Sequence, residues 1–385
     1  MGIIKFIYNF FLSLIPLPSQ RKIKEIPFEN YLYFHASSIG EVMSLKGLID
    51  YFSKDYPCIL TTFTKAGKEK AENIFKDKIK VFYFPFDKKR EIEKLVKRAK
   101  AIIIAECELW PNLIQTGIKN RKKIFLVNGK ISKKSFYFYN FIFKEIKKFL
   151  RDFELIFLQD KSYEIFFKKL GVLPFKIFVL RNLKYDALED VKGAWEKNGF
   201  TITFGSIRSN EIDIVVNVIQ KILNKREDLK IVICPRHLIN TKIVEFKLKE
   251  KGIDYEKRSK SLFPTKKVFI LDTLGELLNV WKISDVGIVG GTFGKHGGHN
   301  LAEPAFFGIP VIFGESIQNV KEIANILLKI GGGFKVKNER ELENILNKLI
   351  LDDDFRKRAG ENAKKGIEIL RGSSKMIYEK IKETL

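Results

Sequence analysis

Residues 286–304 read VGIVGGTFGKHGGHNLAEP. Residues 286–289 are a short β-branched run of the kind that forms a buried strand, and the glycines after it permit a tight turn and close backbone approach. A helix is predicted to begin near Asn300, and the free N–H groups of a helix start attract an anion. Gly291, His299, Asn300 and Glu303 are therefore candidate ligand contacts, with Glu303 placed to accept hydrogen bonds from ribose hydroxyls; Thr292, Leu301 and Ala302 lie in the same stretch and enter with the resemblance given below. The loop is neither a Walker A sequence nor a GxGxxG fingerprint after the first strand of a domain. A plain strand-to-helix turn is the alternative reading.

The same strand-then-helix plan extends in both directions. In the second half, Thr201–Phe204, Lys230–Cys234, Val268–Leu271 and Pro310–Phe313 read as further strands. In the first half, Tyr31–His35, Ile59–Thr62, Val81–Phe84, Ala101–Ala105, Ile124–Asn128 and Leu155–Leu158 do so, with amphipathic stretches such as Lys88–Lys100 between them. Such alternation predicts an α/β chain with parallel sheets covered by helices on both faces. Residues 184–198 are charged and carry no strand pattern, which places a domain joint there. The expected parts are a short hydrophobic segment (1–20), a Rossmann-like domain (21–185), a second one (199–370) and a closing helix (371–385) that crosses back. Ligands in open α/β sheets bind beyond the carboxyl ends of strands, so both domains are expected to turn their loops to a central cleft.

The 385 residues carry 70 Lys+Arg against 46 Asp+Glu, a formal charge of +24, with 45% hydrophobic residues. That much apolar sequence excludes a disordered chain. No run of about 20 apolar residues exists, which excludes a polytopic helical membrane protein. Cys58, Cys107 and Cys234 form neither a disulfide framework nor a zinc pattern, so a reducing compartment is expected. The charge leans to one side: residues 1–190 hold 36 basic and 21 acidic side chains, and residues 191–385 hold 34 and 25. Biased base composition accounts for part of it; an anionic partner of the first half is the other reading. No RRM, KH or helix-turn-helix pattern supports nucleic acid.

Residues 3–15 (IIKFIYNFFLSLI) are nearly all apolar and stop at Pro16 and Pro18. The segment is too short to cross a bilayer of about 30 Å, and it lacks the charged flank and cleavage site of a signal peptide. A monotopic anchor is expected in preference to a core helix.

Other loops carry candidate chemistry. Arg236 and His237 follow the strand IVIC and suit a phosphate. Gly205 and Ser206 end the preceding strand, and Leu274, Gly275 and Glu276 open another helix whose backbone can meet a base or phosphate. In the first half Glu41 follows a strand in HASSIGE and is a candidate general base, although Ser38 and Glu41 also have capping-box spacing. Glu106 and Glu108 make an acidic pair with too few ligands for a usual metal site. The DxD at Asp352 and Asp354 suits a helix N-cap better than a metal.

Taken together, HASSIGE (35–41), AECELWPNLI (105–114), NGKIS (128–132), NLKYD (182–186), GSIRSNE (205–211), PRH (235–237), LGEL (274–277) and GGTF with GGHNLAEP (290–304) form an ordered set. The set resembles the 3-deoxy-D-manno-octulosonate (Kdo) transferases of lipopolysaccharide synthesis. The resemblance implies a GT-B fold, two Rossmann-like doubly wound domains facing a central cleft. It implies inverting transfer of Kdo from CMP-Kdo to a phosphorylated lipid A precursor at the cytoplasmic face of the inner membrane; because CMP leaves with one phosphate rather than two, no metal or other cofactor is expected. Carried over by position, Glu41 is the base, Glu106 supports the transition state and Lys184 supplies a cation. Arg236, His237, residues 274–276 and residues 300–303 fall on CMP-binding positions. Gly129 and Lys130 stand where many members carry Ala-Arg, so an anion contact there lacks a bidentate fork. Lys133, Lys134, Lys144, Lys147 and Lys148 are candidate acceptor contacts. Rival readings are a GT-B enzyme using a UDP-sugar and a basic protein that binds anionic surfaces.

Overall fold

The computed structural model describes the whole chain except residues 1–2, 143–144, 192–194 and 262–264. It divides into two compact units, Met1–Ala187 with Arg371–Leu385, and Leu188–Leu370. Lys144 lies outside the described residues.

The first unit holds β1 (Tyr31–His35), β2 (Cys58–Thr62), β3 (Lys80–Tyr83), β4 (Ala99–Ala105), β5 (Lys123–Gly129), β6 (Leu155–Leu158) and β7 (Ile177–Val179). Every pairing is parallel, in the order β3-β2-β1-β4-β5-β6-β7. The continuous apolar runs have a simple cause, because alternate residues feed two different cores. Tyr31, Tyr33, Ile102, Ile104, Ile124 and Leu126 enter one core. Leu32, Phe34, Ala101, Ile103, Phe125 and Val127 enter the core on the other face.

The second unit repeats the plan with β8 (Phe200–Ile207), β9 (Leu229–Pro235), β10 (Tyr255–Lys257), β11 (Val268–Ile270), β12 (Val286–Val289), β13 (Val311–Phe313) and β14 (Gly333–Lys335). Its parallel order is β10-β11-β9-β8-β12-β13-β14. Both sheets are thus doubly wound. Strand order reverses between β1 and β4 in the first unit and between β8 and β12 in the second, so residues 36–41 with 106–110, and 206–211 with 290–301, sit at the switch points.

Strands β7, β10 and β14 escape sequence reading because they are three-residue edge strands. Tyr255-Glu256-Lys257, for example, are all only partly buried and show no apolar run. The helix Ser373–Thr384 packs on Ile39–Phe52 of the first unit, burying Ile377 and Ile381. Asp186 accepts from the backbone N–H groups of Gly372 and Ser374, both at 2.6 Å, and so caps that helix from a distant part of the chain.

Residues Ile3–Leu14 form a helix. Tyr8 donates to Asp87 Oδ2 (2.9 Å), and Asn9 Oδ1 accepts from Asn112 (2.7 Å). Asp87 is fully buried and also accepts from the N–H groups of Asn112 and Leu113, capping the helix Pro111–Lys119. The polar side of the N-terminal helix is therefore tied to the body, while Ile7, Phe10, Phe11 and Leu14 are 45–63% exposed. Among the described residues no helix is long and apolar enough to cross a membrane.

Candidate functional site

In the first unit, β1 ends at His35 and the helix Ile39–Phe52 begins after an extended Ser38. Glu41 lies in its first turn. Ser38 caps the helix, its Oγ accepting from the Glu41 N–H (3.4 Å) and donating to Glu41 Oε1 (3.0 Å), while Glu41 Oε2 accepts from the Ser37 N–H at 2.6 Å, one residue before the cap rather than from the cap itself. A second carboxylate reaches the same serine: Ser37 Oγ donates to Glu108, which also accepts from Trp110 Nε1 at 2.9 Å. His35, buried behind them, holds Thr61 through Nδ1 (2.8 Å), and its Nε2 stands 3.7 Å from Glu108.

These surroundings drive the two carboxyls apart. Burial, with Glu108 and Glu106 adding like charge, pushes Glu41 up to about 7. Burial also works to raise Glu108, but the His35 ring, Ser37 and Trp110 hold it below the ordinary carboxylate range. One carboxylate stays ionised while its neighbour is raised toward neutrality, a pattern suited to acid–base work by the second. Glu106, in a left-handed conformation (φ 54°), pairs with Lys130 at 2.5 Å. Lys184 belongs to a short turn, Leu183–Tyr185, packed on the Glu41 helix, and its Nζ lies 5.0 Å from the Tyr185 ring centre.

In the second unit the glycine loop is built around Glu211, a fully buried carboxylate. Its Oε2 accepts from the N–H groups of Arg208 (2.9 Å) and Gly291 (2.8 Å), and its Oε1 from that of Phe293 (2.9 Å). Gly291 has φ 73°, and a Cβ there would stand 2.6 Å from the His299 ring. Ser206 likewise has positive φ (58°). Arg208 Nε donates to His299 Nε2 at 3.2 Å. Burial, then the charges of Arg236 and Arg208, lower His299 to about 4, so its ring is neutral amid cations. Arg236 and His237 are exposed beyond β9, and the Arg236 N–H bonds Ile207 O. Three loops thus bring Arg208, Arg236 and a neutral His299 to one end of the sheet, an arrangement whose charge suits an anion.

The remaining candidates divide by what their atoms already do. Thr292 is buried, bonding Val289 O and the Gly314 N–H, so its hydroxyl serves the loop. Gly205 faces Trp281, where a Cβ would meet the indole at 2.3 Å. Glu276 is held by a fork from Arg258 (2.8–3.1 Å) and by Thr273, leaving exposed Leu274 and Gly275 to offer backbone. Asn300 caps the short helix Ala302–Phe306, whose first residue comes after Leu301, and donates to Glu303 at 3.0 Å. Burial raises Glu303. Asp352 accepts from the Phe355 N–H, an N-cap contact. No cluster of metal-ligating side chains occurs among the described residues.

Sequence reading named neither Arg208 nor Glu211 as site residues and treated Glu108 only as half of an acidic pair. Glu211 and its loop partners are about 80 positions apart, so no local pattern marks the contact. Beside Glu108 lies a cavity of about 290 Å³ walled by Tyr8, Leu109, Trp110, Phe138 and Tyr139.

Comparison with known proteins agrees with this layout. Residues 14–187 match the family described as 3-Deoxy-D-manno-octulosonic-acid transferase (kdotransferase), and residues 186–366 match Glycosyl transferases group 1. The chain is 33% identical over 325 residues to a 3-deoxy-D-manno-octulosonic acid transferase of Aquifex aeolicus, covering 83% of this chain and 86% of that one. It is 31% identical to a bifunctional glycosyltransferase/methyltransferase of Fusobacterium nucleatum, covering 92% of this chain but 58% of that longer protein. A UDP-GlcNAc 2-epimerase from Neisseria meningitidis shares the fold at 12% identity (TM-score 0.62, covering 92% of this chain and 100% of that one). The two doubly wound sheets are thus those of a glycosyltransferase, and the chain belongs to the 3-deoxy-D-manno-octulosonic acid (Kdo) transferase family.

Proposed function

We propose that this chain transfers Kdo from CMP-Kdo to a hydroxyl of a phosphorylated lipid A precursor, with inversion at the anomeric carbon. The observation that carries the reading is Glu41: a carboxyl raised to about 7 at a helix N-terminus, beside a Glu108 that stays ionised. A group of that pKa takes the acceptor's proton at neutral pH as the hydroxyl attacks. Negative charge then builds on the departing CMP phosphate, and Arg208 and Arg236 are the groups that receive it. Glu106, ion-paired to Lys130, holds the position that the family resemblance assigns to support of the transition state.

The acceptor reading rests on the surface of the first unit. Lys133, Lys134 and Lys148 are exposed and Lys147 half-exposed. The outward face of Ile3–Leu14, with Tyr137 and Phe138 also exposed, suits insertion at the headgroup boundary of an anionic bilayer, and the lysines suit its charge. On this reading the enzyme works peripherally at the cytoplasmic side of the inner membrane.

Incubation with CMP-Kdo and a tetraacylated lipid A precursor, followed by mass measurement of the product, tests the whole proposal. Mass gain by Kdo units is the expected result. An unchanged acceptor, together with turnover of a UDP-sugar, would replace it.

A further inference from the structure

Glu211 has no part in the chemistry described above, yet both of its oxygens are engaged by backbone. It is fully buried, and its two oxygens gather three backbone N–H groups, one from its own turn and two from the loop that follows the neighbouring strand β12. Two belong to the glycine loop after β12, at Gly291 and Phe293; the third is that of Arg208 after β8. The fit is close: a Cβ on Gly290 would stand 2.8 Å from Glu211 Oε2 and 2.5 Å from Ser206 O, so only glycine lets the loop reach the carboxylate.

A buried carboxylate is an unlikely tenant of an anion site, since its charge repels a phosphate. Its value lies in geometry. A carboxylate has acceptor capacity for all three N–H groups, and hydrogen bonds to a charged acceptor are stronger than neutral ones. With its backbone fixed in this way, Arg208 directs Nε onto His299 Nε2 at 3.2 Å. Because a guanidinium only donates, Nε2 must accept and the His299 proton sits on Nδ1. The depressed His299 pKa of about 4 agrees with a ring held neutral. The rest of the Arg208 fork then remains for an anion.

We propose that Glu211 is a positioning residue of the donor site: it sets the backbone of residues 291–293 and of Arg208, and through them the Arg208 guanidinium that binds the donor's phosphate. The inference rests on the reading of this loop as the nucleotide-sugar site. Glu211→Gln is its sharpest probe. The amide keeps one acceptor oxygen but turns an NH2 toward at least one backbone N–H, so the loop loses its register without losing volume. Donor binding should weaken about 10- to 100-fold, the range of one or two lost charge-assisted hydrogen bonds, while kcat at saturating donor changes far less.

The test is calorimetric titration of CMP and UMP into full-length wild type, Glu211→Gln and Arg208→Ala, with donor KM and kcat measured on the same samples. Weaker nucleotide binding and a raised KM in both variants is the expected result. A purely structural Glu211 would reduce the active fraction and the melting temperature while leaving Kd and KM of the folded protein as in wild type; that outcome overturns the proposal. Should Glu211→Gln not fold, Arg208→Ala decides: unchanged nucleotide affinity there also overturns it. Variant effects are read on whichever nucleotide the wild type binds. A wild type that prefers UMP would displace the CMP reading and leave the positioning role standing if the variants still weaken binding. Wild type that binds neither overturns both.

Discussion

The backbone N–H of Ser37 lies 2.6 Å from Glu41 Oε2, so the carboxylate that stands as candidate base is also a structural cap of its own helix. The two roles, which compete in the sequence, coexist in the fold: an acceptor of N–H bonds at a helix start can still be raised to about 7 when burial and Glu108 act against its charge. Glu41→Gln separates them. Glutamine satisfies the same capping position, so stability should change by less than about 1 kcal/mol, whereas transfer should fall about 10²- to 10⁴-fold. Product formation and a melting curve on one sample check this. Turnover like that of wild type would sink the assignment.

The pH profile should show the same group. With Glu41 titrating near 7, transfer rises with pH through that value and then levels. Burial holds it there first and the charge of Glu108 second, so Glu108→Gln should move the acid limb part of the way toward lower pH. A limb that stays in place in Glu108→Gln would argue that another group is being titrated.

Stability carries a linked signal. The folded protein keeps a proton on Glu41 that the unfolded chain releases around the ordinary 4.5, so the folded state binds more protons between about 4.5 and about 7. The contribution of Glu41 is thus full below 4.5 and lost as pH rises through 7. Glu41→Gln should be flatter than wild type over that interval in urea titrations at several pH values.

Asp186 fastens the chain's last helix to the first unit through the amides of Gly372 and Ser374. Asp186→Ala should cost about 1–2 kcal/mol, the scale of a lost helix cap. Chemical denaturation reads the loss, and hydrogen exchange should localise it to Ser373–Thr384.

The exposed face of Ile3–Leu14 gives a separable prediction. Phe10→Ser with Phe11→Ser should reduce sedimentation with anionic vesicles at least about tenfold, since each phenyl loses burial worth more than about 1 kcal/mol. Melting should hold steady, because both rings are more than half exposed. Unchanged vesicle binding would assign membrane contact elsewhere.

Much of this protein is legible from the sequence alone because its signals are local. Eleven of the strands announce themselves as β-branched or aromatic runs, since a parallel strand buried on both faces has no polar alternation to confuse its reading. Glu41, Arg236 and the glycine loop stand out because a βα loop carries its chemistry within a few residues of the strand's end. The family motifs are short for the same reason. What only the tertiary structure decided is which polar groups meet. Glu108 joins Glu41 through one serine about 70 positions away, and Glu211 gathers amides about 80 positions downstream. Hydrogen bonds between distant segments leave no periodicity, and burial sets their weight. A glutamate in a sequence is only a glutamate until the fold removes its water and chooses its partners.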